Sequence, residues 1–321
     1  MIQIWITLIV GIVLLLAGSE LLLKGSKYLA YKLRVSKLFV SMTIVALGTS
    51  LPELTVSGIS IAHNDIGLAT GNIVGSCVTN IFLIFGLSLI TNSLLVGTTK
   101  TQKNAMILLY VTVLFIILYL SSYSSVTIAG ILIGMGLIVF LLEYVSAVRG
   151  RRYEDKAHIA HYPKKLPSYT YIILYIVIGI SGLVFGGSLL VDGVELISEK
   201  LAISTTFLGL TLTALATSLP ELLTTVIAQF GKESKLALGN IIGSNIYNLA
   251  LVGGLISFRP VQGLVKIEEF IFLFISSVSI WLLLRQYKGK VIPRVVGIGL
   301  VLFYLVYLYI TSFNYYFDLL V

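Results

Sequence analysis

Ten apolar runs, each roughly long enough to cross a bilayer, follow one another along this chain of 321 residues. The chain is 57% hydrophobic and only 11% charged, which is more apolar surface than a water-soluble core of this length needs. The short segments of alternating polarity that a membrane β-barrel requires are not evident. The pattern predicts an all-α integral membrane protein with ten transmembrane helices, at residues 3–23, 38–62, 70–95, 104–120, 126–148, 168–194, 205–229, 236–257, 268–285 and 294–316. We interpret the first run as a span, because it lacks the charged leader and cleavage site of a signal peptide.

Lysine and arginine are unevenly distributed between the loops. Of the 22 Lys and Arg residues, all but Lys200, Arg259 and Lys266 follow the odd-numbered spans. Since positively charged loops stay in the cytoplasm, this bias predicts a multi-pass protein of a prokaryotic cell membrane with both termini extracellular. The net charge of +8 then reflects topology. Membrane lipid is the expected partner, and nucleic acid is not.

Part of the chain occurs twice, at an offset of 168 residues. Val45–Leu54 reads VALGTSLPEL and Thr213–Leu222 reads TALATSLPEL. The same register pairs Gly71–Asn80 (GNIVGSCVTN) with Gly239–Asn248 (GNIIGSNIYN). A fixed offset held this far indicates an internal duplication.

The span count gives the duplication an orientation. Five spans in each half place the second half upside down relative to the first, and inverted repeats of this kind bind substrate near the bilayer midplane. The sequence therefore predicts two inverted-topology five-helix repeats, residues 1–148 and 168–321. The segment 149–167 is a polar cytoplasmic linker that is too short to be a regulatory domain.

A proline interrupts the same turn in each repeat. Pro52 has no backbone N–H, and its ring pushes away the carbonyl of Gly48, four residues earlier. We expect a kinked helix with carbonyl groups freed from Ala46 to Gly48, and Pro220 should act in the same way on residues 214–216. In lipid, such carbonyls are tolerated only where they face protein or a water-filled cavity, and a bound cation could satisfy them.

Polar groups share one helical face beside each break. Spacings of i, i+3, i+4 and i+7 align the carbonyl of an alanine, the hydroxyls of a threonine and a serine, and a glutamate carboxylate: Ala46, Thr49, Ser50 and Glu53, repeated as Ala214, Thr217, Ser218 and Glu221. The next helix of each repeat adds a serine and an asparagine at i, i+4: Ser76 with Asn80, and Ser244 with Asn248. Pseudo-two-fold symmetry would bring the four faces together.

The chemistry of this predicted site suits a hard cation. Ca²⁺ takes oxygen ligands in flexible geometry, Na⁺ is of similar size, and Mg²⁺ demands stricter octahedra. No histidine lies in these motifs and Cys77 is the only sulfur nearby, which argues against zinc or copper. Two other glutamates, Glu20 near Lys24 and Glu143 near Arg149, fit interfacial ion pairs, and we assign them no role.

The paired motifs resemble the α-repeats of the cation/Ca²⁺ exchanger superfamily, most closely its sodium/calcium exchangers. The resemblance implies ten helices in two inverted repeats, and it implies cation ligands at the same twelve positions derived above. It implies a secondary antiporter, not an enzyme, that exchanges Na⁺ for Ca²⁺ by alternating access. Na⁺ and Ca²⁺ are then substrates, no cofactor is expected and oligomerisation is not required.

Two residues depart from the family pattern. Ala216 stands where the family usually has glycine, which could alter how the neighbouring carbonyls are presented. Asn248 stands where many microbial relatives and the potassium-dependent branch have aspartate, so we expect exchange that is independent of K⁺. We expect exchange to be electrogenic, because the resemblance implies a further Na⁺ beyond the two that two ionised glutamates would balance.

Two alternatives remain open. Buried glutamates can also carry protons, so a Ca²⁺/H⁺ antiporter of the same superfamily is the first. A cation channel is the second, although an inverted repeat around one enclosed site favours alternating access over a pore lined by rings of ligands.

Overall fold

The computed structural model describes residues 2–33, 41–92, 94–96, 99–121, 123–154, 166–231, 233–260 and 264–317. Within these residues, nine helices are long and apolar enough to cross a bilayer, and a bent pair makes a tenth span. The first five are α1 (Ile2–Leu33), α2 (Ser41–Thr49 and Leu51–Ala62), α3 (Ile66–Thr91), α4 (Thr99–Tyr119) and α5 (Ser125–Glu154). The second five are α6 (Tyr169–Leu201), α7 (Thr205–Phe230), α8 (Ser234–Ile256), α9 (Ile267–Gln286) and α10 (Arg294–Phe317). The prediction of ten spans is confirmed.

Several helices extend beyond the predicted spans. The helices α1 and α6 continue to Leu33 and Leu201, because hydropathy marks only the apolar part of a helix and not its polar ends. The helix α5 continues to Glu154, inside the predicted linker 149–167. Residues 155–165 of that linker lie outside the described part of the chain.

The proline breaks have nearly the same shape in both repeats. In α2 the helix is interrupted at Ser50 (φ −80°, ψ 2°) and bends by 43°, and in α7 it is interrupted at Ser218 (φ −82°, ψ 2°). Each break follows a π-helical segment, Ser41–Val45 in α2 and Gly209–Thr213 in α7. Two further π-helical segments lie in α3 and α8, at Thr79–Phe85 and Asn248–Val252. Such bulges widen the helix locally and are frequent at functional sites.

The two repeats interlock through glycines. A methyl group added at Gly75 of α3 would lie 2.5 Å from the carbonyl oxygen of Leu210 in α7. The symmetry-related addition at Gly243 of α8 would lie 2.8 Å from the carbonyl oxygen of Met42 in α2. These approaches are too close for a side chain, so α3 packs directly on α7, and α8 on α2.

The first helix of each repeat also packs against the other. Glycines recur every seven residues in α1 (Gly11, Gly18, Gly25) and in α6 (Gly179, Gly186, Gly193). A methyl group at Gly18 would lie 2.7 Å from the Gly179 carbonyl oxygen, and one at Gly186 would lie 2.7 Å from the Gly11 carbonyl oxygen. The α1–α6 contact is therefore also formed backbone to backbone.

Contacts at one end of the bundle join elements that are distant in sequence. The strands β1 (Leu94–Leu95) and β2 (Val291–Ile292) pair antiparallel, which links the loop after α3 to the loop after α9. Glu143 is nearly buried and lies 3.3 Å from Lys100 of α4, a partner that the sequence did not suggest, while the side chain of Arg149 lies outside the described part of the structure. The pairing follows the packing of α5 against α4, which sequence spacing does not reveal. The Glu20–Lys24 pair is confirmed, with 2.6 Å between the charged atoms.

Topology can be tested with single cysteines in a Cys77→Ala background. Ser124 lies between α4 and α5, Lys288 lies between α9 and α10, and both are exposed. If positively charged loops are cytoplasmic, an impermeant maleimide should label Ser124→Cys in intact cells and Lys288→Cys only after permeabilisation. The reverse pattern would show that the protein is oriented the other way.

Candidate functional site

The twelve residues predicted as ligands come from α2, α3, α7 and α8, and all of them are buried. Contacts between repeats hold the set together. The Ser218 hydroxyl donates to Glu53 Oε1 at 3.3 Å, and the Ser76 and Thr217 hydroxyls lie 3.3 Å apart. The Asn80 amide donates to the Ser244 hydroxyl at 3.5 Å. The structure therefore brings the predicted faces of the two repeats together, as the pseudo-two-fold symmetry requires.

The two carboxylates face side chains of the opposite repeat. Glu53 of α2 is close to Ser218 and Thr217 of α7 and to Ser76 of α3. Glu221 of α7 is close to Thr49 and Ser50 of α2 and lies near Glu53 itself. This exchange of partners places the carboxylates within electrostatic reach of each other at the centre of the bundle.

Neither carboxylate has an ion-pair partner among the described residues. Both side chains are fully buried, and Glu53 Oε2 and both oxygens of Glu221 have no hydrogen-bond donor. A buried charge without compensation is very unfavourable. Two buried carboxylates that lie near each other without a counter-charge among the described residues have the chemistry that a cation site needs.

The backbone carbonyls differ from the expectation in detail. The Ala46 carbonyl is not freed by the break, because it accepts a helical hydrogen bond from Ser50 N at 3.0 Å. The Ala214 carbonyl likewise accepts from Ser218 N at 3.1 Å. The carbonyl that loses its helical donor is that of Gly48, since Pro52 has no N–H to offer. A carbonyl oxygen has two lone pairs, so Ala46 and Ala214 can still serve as ligands with the second.

The two asparagines at the predicted ligand positions are not equivalent. Asn80 is held by its contact with Ser244, and its Oδ1 accepts no hydrogen bond. Asn248 is buried at the start of the π-helical segment of α8. Neither polar atom of its amide has a hydrogen-bond partner among the described residues. The Asn248 side chain therefore makes no hydrogen bond to another of the twelve residues, although it lies one helical turn from Ser244.

Two further asparagines belong to this region, and the choice of ligands from sequence missed them. Asn240 Oδ1 accepts from the Thr49 hydroxyl at 3.2 Å, and Asn72 Oδ1 accepts from the Thr217 hydroxyl at 3.1 Å. The two are related by the offset of 168 and lie in the repeated GN dipeptide. Asn72 also precedes Ser76 by four residues, so it shares the helical face of Ser76 and Asn80.

Another fully buried carboxyl lies outside this group. Glu269, in the first turn of α9, is fully buried beside Thr311 and has no hydrogen-bond partner for either oxygen. Its repeat position is occupied by Thr101. The helix α9 contributes none of the twelve residues, so Glu269 is not part of the symmetric site.

The twelve residues offer only oxygen atoms as ligands, and their side-chain nitrogens all belong to amides. Within the described chain no group of three or more His, Cys, Asp or Glu side chains is positioned to hold a metal ion. Two carboxylates with hydroxyl, amide and carbonyl oxygens match the ligand preferences of Ca²⁺ and of Na⁺ better than those of transition metals. The chemistry of the arrangement therefore suits hard cations.

Comparison with known proteins gives a family match over both repeats. The family model described as "Sodium/calcium exchanger protein" matches residues 3–148 and 171–313. The two matched ranges correspond closely to the two predicted repeats.

Individual relatives cover nearly the whole chain. The inferred antiporter CaxA of Alkalimonas amylolytica is 31% identical over 95% of this chain and 97% of its own length. The sodium/calcium exchanger MaX1 of Methanosarcina acetivorans is 29% identical over 95% of this chain and 97% of its own length. A structure of the sodium-calcium exchanger NCX_Mj soaked with Na⁺ and Ca²⁺ superposes with a TM-score of 0.74, at 29% identity over 95% of this chain and 97% of that chain.

Removing either carboxylate should abolish Ca²⁺ binding. We expect Glu53→Gln and Glu221→Gln to weaken binding by roughly 100-fold or more, because a unit charge is lost from a site of low dielectric constant. The measurement is the rise in Tm that Ca²⁺ produces in the purified protein, which binding to the folded state requires. Glu20→Gln is the matched control, since Glu20 is exposed and paired with Lys24. A normal Ca²⁺-dependent rise in Tm for Glu221→Gln would rule out the site.

Proposed function

Since this chain belongs to the sodium/calcium exchanger family, a family of membrane transporters, we propose that it exchanges Na⁺ for Ca²⁺ by alternating access. The observation that carries the proposal is the pair of buried, unpaired carboxylates, Glu53 and Glu221, at the contact between inverted repeats. We propose the twelve residues around them as cation ligands, and the mechanism needs no cofactor.

Charge balance explains why one site could serve both ions. Two ionised carboxylates give a charge of −2, which one Ca²⁺ or two Na⁺ would neutralise. The resemblance to sodium/calcium exchangers implies that a further Na⁺ also binds, so the sodium-loaded protein would carry +1. Exchange would then move net charge, and the membrane potential would drive it by about 2.3 kcal/mol per charge per 100 mV.

The inverted repeats supply a route to alternating access. Because each carboxylate is surrounded by hydroxyls of the other repeat, the site lies between two similar half-structures of opposite orientation. Rearranging one half against the other opens the site to one side, and the symmetric rearrangement opens it to the other. The same ligands are thus presented to both aqueous phases in turn.

The orientation in the membrane is part of the proposal. The distribution of Lys and Arg supports extracellular termini and a cytoplasmic linker between repeats 1–148 and 168–321. Lipid phosphate is the partner that suits the positively charged cytoplasmic loops.

A Ca²⁺/H⁺ antiporter is the second candidate. Both oxygens of Glu221 lack donors, so this carboxyl can accept a proton without losing a hydrogen bond. The relative CaxA of Alkalimonas amylolytica is described as an antiporter, and its name gives no coupling ion. Dependence of calcium transport on Na⁺ separates this candidate from the first.

Coupling can be measured in proteoliposomes that contain the purified protein. We expect an outward Na⁺ gradient to drive uptake of radiolabelled Ca²⁺ in the absence of K⁺, while choline or proton gradients do not. A permeant-anion gradient sets the voltage without K⁺, and an inside-positive potential should speed Ca²⁺ uptake because more positive charge leaves than enters. Uptake without Na⁺, an absolute need for K⁺, or indifference to voltage would each contradict a part of the proposal.

Asn248 is the position to alter for ion selectivity. Its amide is neutral, and the potassium-dependent relatives that the motifs resemble have aspartate there. We expect Asn248→Asp to add either sensitivity to K⁺ or stronger inhibition at low pH, because a third buried carboxylate attracts a monovalent cation or a proton. Ca²⁺ uptake measured across pH with and without K⁺ checks this, and an unchanged profile in both respects would show that Asn248 does not set selectivity.

A further inference from the structure

The asparagines Asn72 and Asn240 reach across the contact between repeats to the site threonines. Asn240 of α8 accepts a hydrogen bond from the Thr49 hydroxyl of α2. Asn72 of α3 accepts one from the Thr217 hydroxyl of α7. Both asparagines are buried, and neither is among the twelve proposed ligands. The side chains to which they are hydrogen-bonded, Thr49 and Thr217, are proposed ligands.

The Thr49 hydroxyl has two hydrogen-bond acceptors within reach but only one proton, and the Thr217 hydroxyl has the two equivalent acceptors together with the Ser76 hydroxyl at 3.3 Å. Thr49 Oγ1 lies 3.2 Å from Asn240 Oδ1 and 3.3 Å from the Ala46 carbonyl oxygen. If Thr49 donates its hydroxyl proton to the Ala46 carbonyl, the proton occupies a lone pair of that carbonyl, which is itself a proposed ligand. It then obstructs the approach of a cation to both the Thr49 and the Ala46 oxygen. If it goes to Asn240, both lone pairs of Thr49 and the second lone pair of Ala46 remain available.

We propose that Asn240 and Asn72 are positioning residues that take the hydroxyl proton of Thr49 and Thr217, and so turn the oxygen lone pairs of each threonine and its neighbouring alanine carbonyl toward the cation. The inference rests on the proposed function, because it assigns a role within that site. The asparagines themselves do not touch the ion.

The amide of Asn240 is fixed in the orientation that this role needs. Its Nδ2 donates to Thr224 Oγ1 at 2.6 Å, to Thr225 Oγ1 at 3.3 Å and to the Glu221 carbonyl oxygen at 3.4 Å. With the nitrogen held by acceptors of α7, the oxygen must face Thr49. A flipped amide would lose these bonds and would present a donor to the hydroxyl.

The first repeat lacks this lock. Asn72 Nδ2 has no hydrogen-bond partner among the residues that the structure describes, and Val56 occupies the position equivalent to Thr224. Ser57, equivalent to Thr225, has a buried hydroxyl that also has no partner. The Asn72 amide is therefore free to turn its nitrogen toward Thr217, which would send the Thr217 proton to the Ala214 carbonyl. The two half-sites are thus alike in ligands but differ in how firmly the ligands are oriented.

The lock can be weakened in one repeat and strengthened in the other with isosteric substitutions outside the ligand set, because Thr224→Val removes one of the three acceptors of the Asn240 nitrogen. We expect Thr224→Val to raise the Ca²⁺ concentration for half-maximal stabilisation by roughly three- to tenfold, the effect of one net hydrogen bond. We expect Val56→Thr to lower that concentration by roughly a few fold, because it adds to the Asn72 amide the hydrogen bond that Thr224→Val takes from Asn240. Thr211→Val is the matched control on α7, because the Thr211 hydroxyl bonds only its own helix, at Phe207 O.

The measurement is the Tm of purified protein titrated with Ca²⁺ alone and with Na⁺ alone, together with Ca²⁺ uptake by proteoliposomes. A positioning role changes the half-saturating concentration while the Tm without cations and the maximal rate stay close to those of the wild type. In a Thr49→Ala background, Thr224→Val should have no further effect on Ca²⁺ binding, since it acts through Thr49.

Each outcome is decisive. Unchanged half-saturation in Thr224→Val and Val56→Thr, or an effect of Thr224→Val that persists without Thr49, would overturn the inference. If Thr224→Val does not fold, Val56→Thr decides alone, because it only adds an acceptor. Wild-type protein that is stabilised by neither cation would instead refute the proposed function, and the inference with it.

Discussion

Two carboxylates that share one buried site dominate the structure of this protein. A charged side chain at the bilayer centre costs at least about 2.5–3.5 kcal/mol on insertion scales, and two of like sign also repel each other. The broken helices place hydroxyls and carbonyls beside Glu53 and Glu221, and the glycine contacts let four helices approach closely enough to do so. Together these features would stabilise an anionic site within the membrane until the proposed cations neutralise it.

Neither repeat makes the site by itself. Glu53 is close to hydroxyls of α7 and α3, Glu221 is close to hydroxyls of α2, and each site threonine donates to an asparagine of the other repeat. Symmetry of this kind suits a protein that must offer the same ligands to both sides of a membrane. The departures from symmetry, at Val56 and Thr224 above all, are therefore the places where the two half-sites can behave differently.

The sequence predicted the spans and most of the candidate site because both depend on local spacing. A constant offset of 168 residues identifies equivalent positions, and helical periodicity shows that Thr49, Ser50 and Glu53 share a face. The Lys100–Glu143 pair and the short β-ladder join segments whose spacing carries no signal, so they required the fold. Asn72 is an intermediate case, since its spacing from Ser76 was visible but its partner, Thr217, lies in the other repeat.

The crossed packing of the repeats has a consequence for synthesis. Glu53 leaves the ribosome 168 residues before Glu221, an interval of roughly ten to thirty seconds at ordinary elongation rates. Throughout that interval α2 and α3 have no α7 and α8 to pack against, because their closest partners have not yet been translated. The nascent first half must therefore hold an unshielded carboxylate inside the membrane or at the insertion machinery, and assembly of the site is a late event that waits for the eighth helix.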